Sequence, residues 1–338
     1  MRKQLICTLL LVGLLVAAMS ATVYAGPSSL VTVHIGIPNF PPDLGITLGP
    51  YWIGQFPITI TPSGGPTYAD EAYCLNIDGI IHMNTNYPAQ ILPATDDAAW
   101  REVAYILSWH PAIDPYGGAT VQSAIWRILN GYNGFLGLPG TIETDAASWV
   151  ADAFGKDVAR QGDQLNWISP NSGSTSTGPG QTATFQVQLT SSTNVPRPNV
   201  QIDFSAILTP PSGPSQTLGS AYFSSMQAFT DSNGKAQVSV TVPPSVPAGS
   251  KITVQASTQS IWPQKFLDLN NADDQTGLQN LIGLGPTLDL NVSTNIYILG
   301  YILVLPQSAL GPLSALVASA AAYIIFTKLR QLTKQTHP

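Results

Sequence analysis

The chain has 338 residues, 44% of them hydrophobic and only 9% charged, with a formal net charge of −6. That length allows two ordinary domains. Between Gly26 and Asn295, 8 Lys and Arg stand against all 19 Asp and Glu, a formal balance of −11 that excludes nucleic-acid binding by charge neutralisation.

In chain order, Arg2 and Lys3 precede the apolar run "LICTLLLVGLLVAAM", and "TVYA" ends it before Gly26, so residues 1–25 read as a secretory signal peptide. Cys7 would leave with that segment. Cys74 is then the one remaining cysteine, unable to form an internal disulfide in an oxidising compartment. From 26 to 168 strand signals come first: "LVTVHIGI", "WIGQFPITI", "EAYCLNI" and "GIIHM", set apart by Gly and Pro clusters. Three helices follow. One opens at "TDDAAWREVAYILSWH", with Thr95 or Asp96 as cap and Pro111 as stop; the second is "ATVQSAIWRILNG". The third runs through "TDAASWVADAFGKDVAR", with Ala147, Val150, Phe154 and Val158 at helical spacing.

Residues 169–181, "SPNSGSTSTGPGQ", read as a linker. From 182 to 295 the pattern turns to period-two alternation in "TATFQVQLT", "NVQIDFSAIL", "SAYFSSMQAF", "KAQVSVTV" and "KITVQAST", with turns at "DSNGK" and "VPAGS", which predicts a β-sandwich. Within 261–293 only "TLDLNVS" reads as an element, a closing strand. The uncharged run 296–326 exceeds the roughly 20 residues that span a bilayer. The basic residues Lys328, Arg330 and Lys334 in the tail 327–338 then predict a transmembrane anchor, a cytoplasmic tail and a body at the cell surface. "LPQSALGPL", from Leu305, resembles a degenerate sortase signal and offers a wall-linked alternative.

Gln122 sits in the second helix between Leu129 and Trp126, on the side of Val121, Ala124, Ile125 and Ile128. Burying a carboxamide without partners costs roughly 1–3 kcal/mol, so Gln122 must find hydrogen bonds or react. A cysteine thiolate can attack that carbonyl, expel ammonia and leave a thioester. The exchange needs alignment, which a fold supplies as an effective concentration on the order of 10⁵ M, and exclusion of water.

"QSAIW", a Gln-x-Ala-aliphatic-Trp pattern on a helix downstream of the lone Cys in "AYCLN", resembles the thioester domains of Gram-positive surface adhesins. The preceding helix, "REVAYILSWHP", is similar as well, and the likeness covers Val31 to Trp167; Val121 stands where many relatives have Thr. The resemblance implies an internal thioester between Cys74 and Gln122 that a lysine amine on a target surface opens, leaving an isopeptide link. The chain would then be a single-turnover acyl donor rather than an enzyme, with no cofactor. Candidates for the base and the oxyanion stabiliser are His110, His82, Tyr73 and Arg127. "TDSNGKAQVSVTVPPSVPAGSKITVQAS" is similar to the closing half of invasin-type bacterial immunoglobulin-like domains.

The expected architecture is an α+β thioester domain of strands plus helices (26–168), a linker, an all-β immunoglobulin-like sandwich (182–295) and a C-terminal transmembrane helix. Two other functions fit the same residues: a non-covalent surface structural protein, and a cysteine hydrolase pairing Cys74 with His82 or His110. His34, His82 and His110 are too scattered in sequence for a metal site, so no metal is expected.

Overall fold

The computed structural model describes residues 29–38, 44–48, 51–77, 82–134, 136–170, 173–268 and 280–299. Alternation sets the first strands: Val31, Val33 and Ile35 of β1 (Ser29–Ile35) point inward while Leu30 faces solvent. β2 (Gly45–Leu48) and β3 (Tyr51–Gly54) form a small hairpin. β4 (Phe56–Pro62), β5 (Tyr68–Cys74) and β6 (Thr85–Pro93) follow, β1 pairing antiparallel with β4 and β6, and β4 with β5. Of the expected strand "GIIHM", residues 79–81 lie outside the described residues, and His82 and Met83 precede β6.

Three α-helices then pack together. α1 (Ala98–Trp109) is capped by Asp97, which accepts from Trp100 N at 3.1 Å and from Thr95 Oγ1 at 2.6 Å. The cap is thus Asp97 rather than Thr95 or Asp96, and Asp96 instead pairs with Arg101. α2 (Pro115–Asn130) begins with the Asp114 side chain accepting from Gly117 N at 2.6 Å and ends at Gly131, whose φ of 66° suits a left-handed stop. α3 (Gly140–Ala153) starts earlier than its periodicity suggests and stops before Phe154, so Val158 lies beyond it, beside Asp157, which bridges to Val200. Val103, Ile106, Val121, Ala124, Ile125 and Ala146 build a core between these helices that also takes in Tyr73 and Leu75.

Of the next eleven strands, nine form a two-sheet sandwich. β7 (Gln164–Ser169), β8 (Ser174–Thr177), β9 (Thr182–Thr190), β10 (Gln201–Thr209), β11 (Gln216–Thr217), β12 (Gln227–Phe229), β13 (Lys235–Thr241) and β14 (Lys251–Ile261) precede two short strands, β15 (Gln264–Asp268) and β16 (Leu281–Gly283), and the long β17 (Thr287–Ile298). One sheet has the order β11-β10-β14-β17-β8 with β12 on β10; the other is β13-β9-β7. Phe185, Val187, Phe204, Val238 and Val254 fill the space between them. The arrangement fits an immunoglobulin-like sandwich.

β15 and β16 return to the first half. They close a barrel of order β1-β4-β5-β16-β15-β6, with Phe56, Ile58, Ala72, Ile91 and Phe266 inside. The range 182–295 therefore supplies strands to both halves, and the segment 169–181 carries β8, paired parallel with β17.

Two expectations are corrected. The α+β class gives way to a mostly β protein with three α-helices among the described residues, because the early strands curl into a closed barrel and the helices occupy one stretch between β6 and β7. The single-pass anchor expected at 296–326, and the cell-surface placement drawn from it, also fail. Ile296, Tyr297 and Ile298 continue the alternation of β17 and pair with β14 and β8, and among the described residues no helix is long and apolar enough to cross a membrane. Residues 300–326 of that run, the signal segment 1–25, the basic tail and "LPQSALGPL" lie outside the described residues.

Candidate functional site

β4 and β5 are antiparallel partners from Ile60–Tyr68 to Phe56–Ala72. The next hydrogen-bonding partner of β5 would be Gly54, opposite Cys74, but the chain leaves the ladder there. Gly54 takes φ 139° and pairs with Gly45, and Gln55 N donates to Leu44 O at 2.8 Å. A side chain at Gly54 would strike Leu44 O at 2.4 Å, so only glycine fits this exit.

On the other edge of β5, Leu75 N donates to Asn280 O at 2.8 Å and Leu284 N to Glu71 O at 3.0 Å. Antiparallel alternation then directs the N–H and C=O of Cys74 away from β16, toward the slot that Gly54 vacates. Gln122 fills it. Its Oε1 accepts from Cys74 N at 2.8 Å and its Nε2 donates to Cys74 O at 2.8 Å. A side-chain amide thus stands in for the missing strand residue, and the buried polar groups on both sides are paired.

α2 brings the carboxamide there because its apolar surface is divided. Ala119 and Trp126, three residues before and four after Gln122, pack in the barrel core that contains Cys74. Val121, Ala124 and Ile125 face the helical core instead. The first turn of α2 is pressed against Leu44, where a Cβ on Gly118 would lie 1.7 Å from the carbonyl oxygen. That close approach fixes the helix one turn before Gln122. Helical side chains lean toward the N-terminus, so the Trp126 ring covers the turn bearing Gln122. It is 3% exposed, edge-on to Tyr132 at 6.2 Å, and its indole N–H has no acceptor among the described residues.

Both residues are shielded: Gln122 is 0% and Cys74 9% exposed. The Cys74 N–H already points at Oε1, where negative charge would build if a thiolate added to the carboxamide carbon. The structure therefore brings together Cys74 and Gln122, with the carboxamide held by two hydrogen bonds to the backbone of Cys74.

The four helper candidates fare differently. Tyr73 neighbours Cys74, but strand alternation sends its ring to the opposite side, into the helical core, where its hydroxyl donates to Gln55 Oε1 at 3.1 Å. Burial, reinforced by the Glu71 charge, pushes its phenol far above the ordinary range, so it stays protonated. Arg127 pairs with Glu143, whose other oxygen receives the Tyr132 hydroxyl, a link between α2 and α3. His110 binds Asp152 at 2.9 Å and stacks on Trp149. His82 is exposed ahead of β6, its N–H donating to the Tyr87 hydroxyl at 2.9 Å. Among the described residues no group of three or more His, Cys, Asp or Glu could hold a metal ion. Gly54, Gly118 and the segment 280–283 were missed as site-building residues; the glycines carry only their residue type as a signal, and 280–283 carries none.

No family model matches the chain, and no curated protein matches it. Three solved chains do match, among them one titled "The Bacillus anthracis TIE protein". The likeness has 12% identity and a TM-score of 0.31, and covers 80% of this chain and 49% of that one, so the chain spans about half the length of that protein. At that level it carries no argument about the site.

Proposed function

We propose that this chain is a single-use acyl donor of the adhesin kind, in which Cys74 and Gln122 join in an internal thioester that an amine on a target then opens. One observation carries the reading: both polar atoms of the buried Gln122 carboxamide are docked on the backbone of Cys74 at 2.8 Å. In the first step the Cys74 sulfur bonds to the carboxamide carbon, the carbon–nitrogen bond breaks, and the thiol proton leaves with the nitrogen as ammonia. In the second, an amine nitrogen bonds to the same carbon, the carbon–sulfur bond breaks, and the amine proton returns to the sulfur. Donor and target end joined by a secondary amide. Each step passes through an oxyanion that the Cys74 N–H is placed to stabilise, and the closed site keeps water from taking the amine's part. The acidic balance of the described halves favours approach of cationic amines.

The same two hydrogen bonds favour one other reading, a non-covalent scaffold in which Gln122 only completes the ladder that Gly54 abandons. Intact mass separates them. The thioester reading expects fresh protein one ammonia lighter than its sequence, full mass in Cys74→Ala and Gln122→Ala, and methylamine incorporated at Gln122. Full mass with a freely titrating thiol would leave the scaffold. A cysteine hydrolase would instead release many product equivalents per molecule from an ester or peptide substrate.

A further inference from the structure

The strand that zips Cys74 into the barrel is made by the chain long after Cys74 itself. β16 pairs Leu281 with Cys74 and Ile282 with Tyr73, and just beyond it Gly285 N donates to Asp70 Oδ2 across 215 residues of sequence. Among the described residues no other strand pairs with this end of β5: the β4 ladder stops at Phe56–Ala72. β16 and Gln122 thus flank Cys74 from its two sides.

β16 reaches this place through the sandwich. β14 pairs with β10 and β17 there, and its end is fixed against the helices, with Ile261 N donating to Ser108 Oγ at 2.8 Å and Ser260 Oγ to Ala159 O at 2.7 Å. Two residues further on, β15 begins beside β6 and pairs with β16. The fit is tight, since a Cβ on Gly283 would lie 2.4 Å from the Phe266 ring. The register of β14 therefore decides where β15 and β16 close the barrel.

We infer that β16 is a positioning element of the reactive site, and that Cys74 and Gln122 join only after the sandwich has folded and delivered it. The inference rests on the thioester reading. It makes the bond a report on completion of the whole chain: a molecule arrested before β16 is in place keeps an unreacted thiol and carboxamide. The positioning acts through the backbone, because the N–H and C=O of Ile282 face Tyr73 and thereby turn those of Cys74 toward Gln122.

The test uses the full chain and three proteins: the parent, Ile282→Pro, which lacks the N–H that faces Tyr73, and Ile282→Val, which keeps it. Intact mass should show the ammonia loss in the parent and in Ile282→Val, and a drop in the reacted fraction on the order of tenfold in Ile282→Pro, as expected when alignment is lost. Ile282→Pro with the parent's reacted fraction and methylamine uptake would overturn the inference while leaving the thioester reading intact. Because Ile282→Pro can also fail to fold, unreacted parent chain, recovered from inclusion bodies in denaturant and verified to have its full mass, is refolded with pulsed hydrogen exchange and acid quench. The mass loss should appear only after the amides of 251–268 and 281–298 are protected; loss appearing earlier overturns the inference. A parent that never shows the loss overturns the thioester reading and this inference together.

Discussion

Gly54 and Cys74 would face each other if the ladder between β4 and β5 ran one step further; Gly54 turns away instead, and the Gln122 carboxamide takes its place. A residue that looks out of place on an apolar helix face is thus paired like a strand residue. The pairing also docks the carboxamide on the backbone of the residue that carries the thiol.

Removing either side chain should abolish the proposed bond, but the two losses are expected to differ in stability. Cys74→Ala keeps the backbone groups that hold Gln122, whereas Gln122→Ala strands a buried N–H and C=O. Gln122→Ala is expected to be the less stable variant by about 1–3 kcal/mol. Denaturant unfolding of the two proteins measures the difference, and equal midpoints with equal slopes would count against the docking described for Gln122.

Gly118→Ala should disturb the site from one turn away. The added Cβ would overlap Leu44 O, so the helix must shift, at a cost of about 1–3 kcal/mol. Methylamine uptake at Gln122 should fall with it. Gly140→Ala is the control, since nothing lies within 4 Å of its new Cβ, and it is expected to leave uptake unchanged.

Trp126 is the roof of the site. Trp126→Ala should cost about 3–5 kcal/mol and admit water, so the thioester of this variant should decay to a Gln122-derived carboxylate faster than that of the parent. Trp126→Phe retains most of the bulk and should decay at close to the parent rate. Time courses of intact mass at neutral pH report both; a Trp126→Ala thioester as durable as the parent's would show that the roof lies elsewhere.

Acid should loosen the contact at the end of α3. Burial alone would raise the Asp152 carboxyl, but hydrogen bonds from Lys156 and His110 outweigh it and hold the group below its ordinary value. A carboxyl depressed in the folded state stabilises above its unfolded pKa of about 3.9, and that contribution disappears as pH falls through the lower folded value. The Asp152 side chain is 43% exposed, so solvent screening keeps the contribution under about 1 kcal/mol. Asp152→Asn should therefore be slightly less stable than the parent at neutral pH, and the two unfolding curves should converge in strong acid.

Much of this architecture was legible in the residues and some was not, for physical reasons. Strands such as β9, β13 and β14 alternate cleanly because one face meets the sandwich core. A lone thiol and a polar residue on an apolar helical face singled out Cys74 and Gln122 locally, while their pairing was drawn from the resemblance of "QSAIW" and "AYCLN" to a known family; the structure sets the two residues in contact. β8 was hidden because Ser174–Thr177 has no apolar residue to mark it and joins the sheet at its edge. β15 and β16 are too short to show a period, and what makes them strands is pairing with β5 and β6, far away in sequence. The end of β17 misled in the opposite way, since "NIYI" is as apolar as the start of a membrane segment while its alternate residues pack in the sandwich.

Between Ala153 and Gln164, Ile261 and Gln264, and Gly283 and Thr287, the polypeptide commutes from one half of the molecule to the other and back. A single protease nick in any one of these passages would leave the halves tethered by the other two. For the same reason the reactive half cannot be traded between genes as a bead on a string: recombination would have to carry both flanks of the sandwich at once, so this arrangement is inherited or lost as a whole.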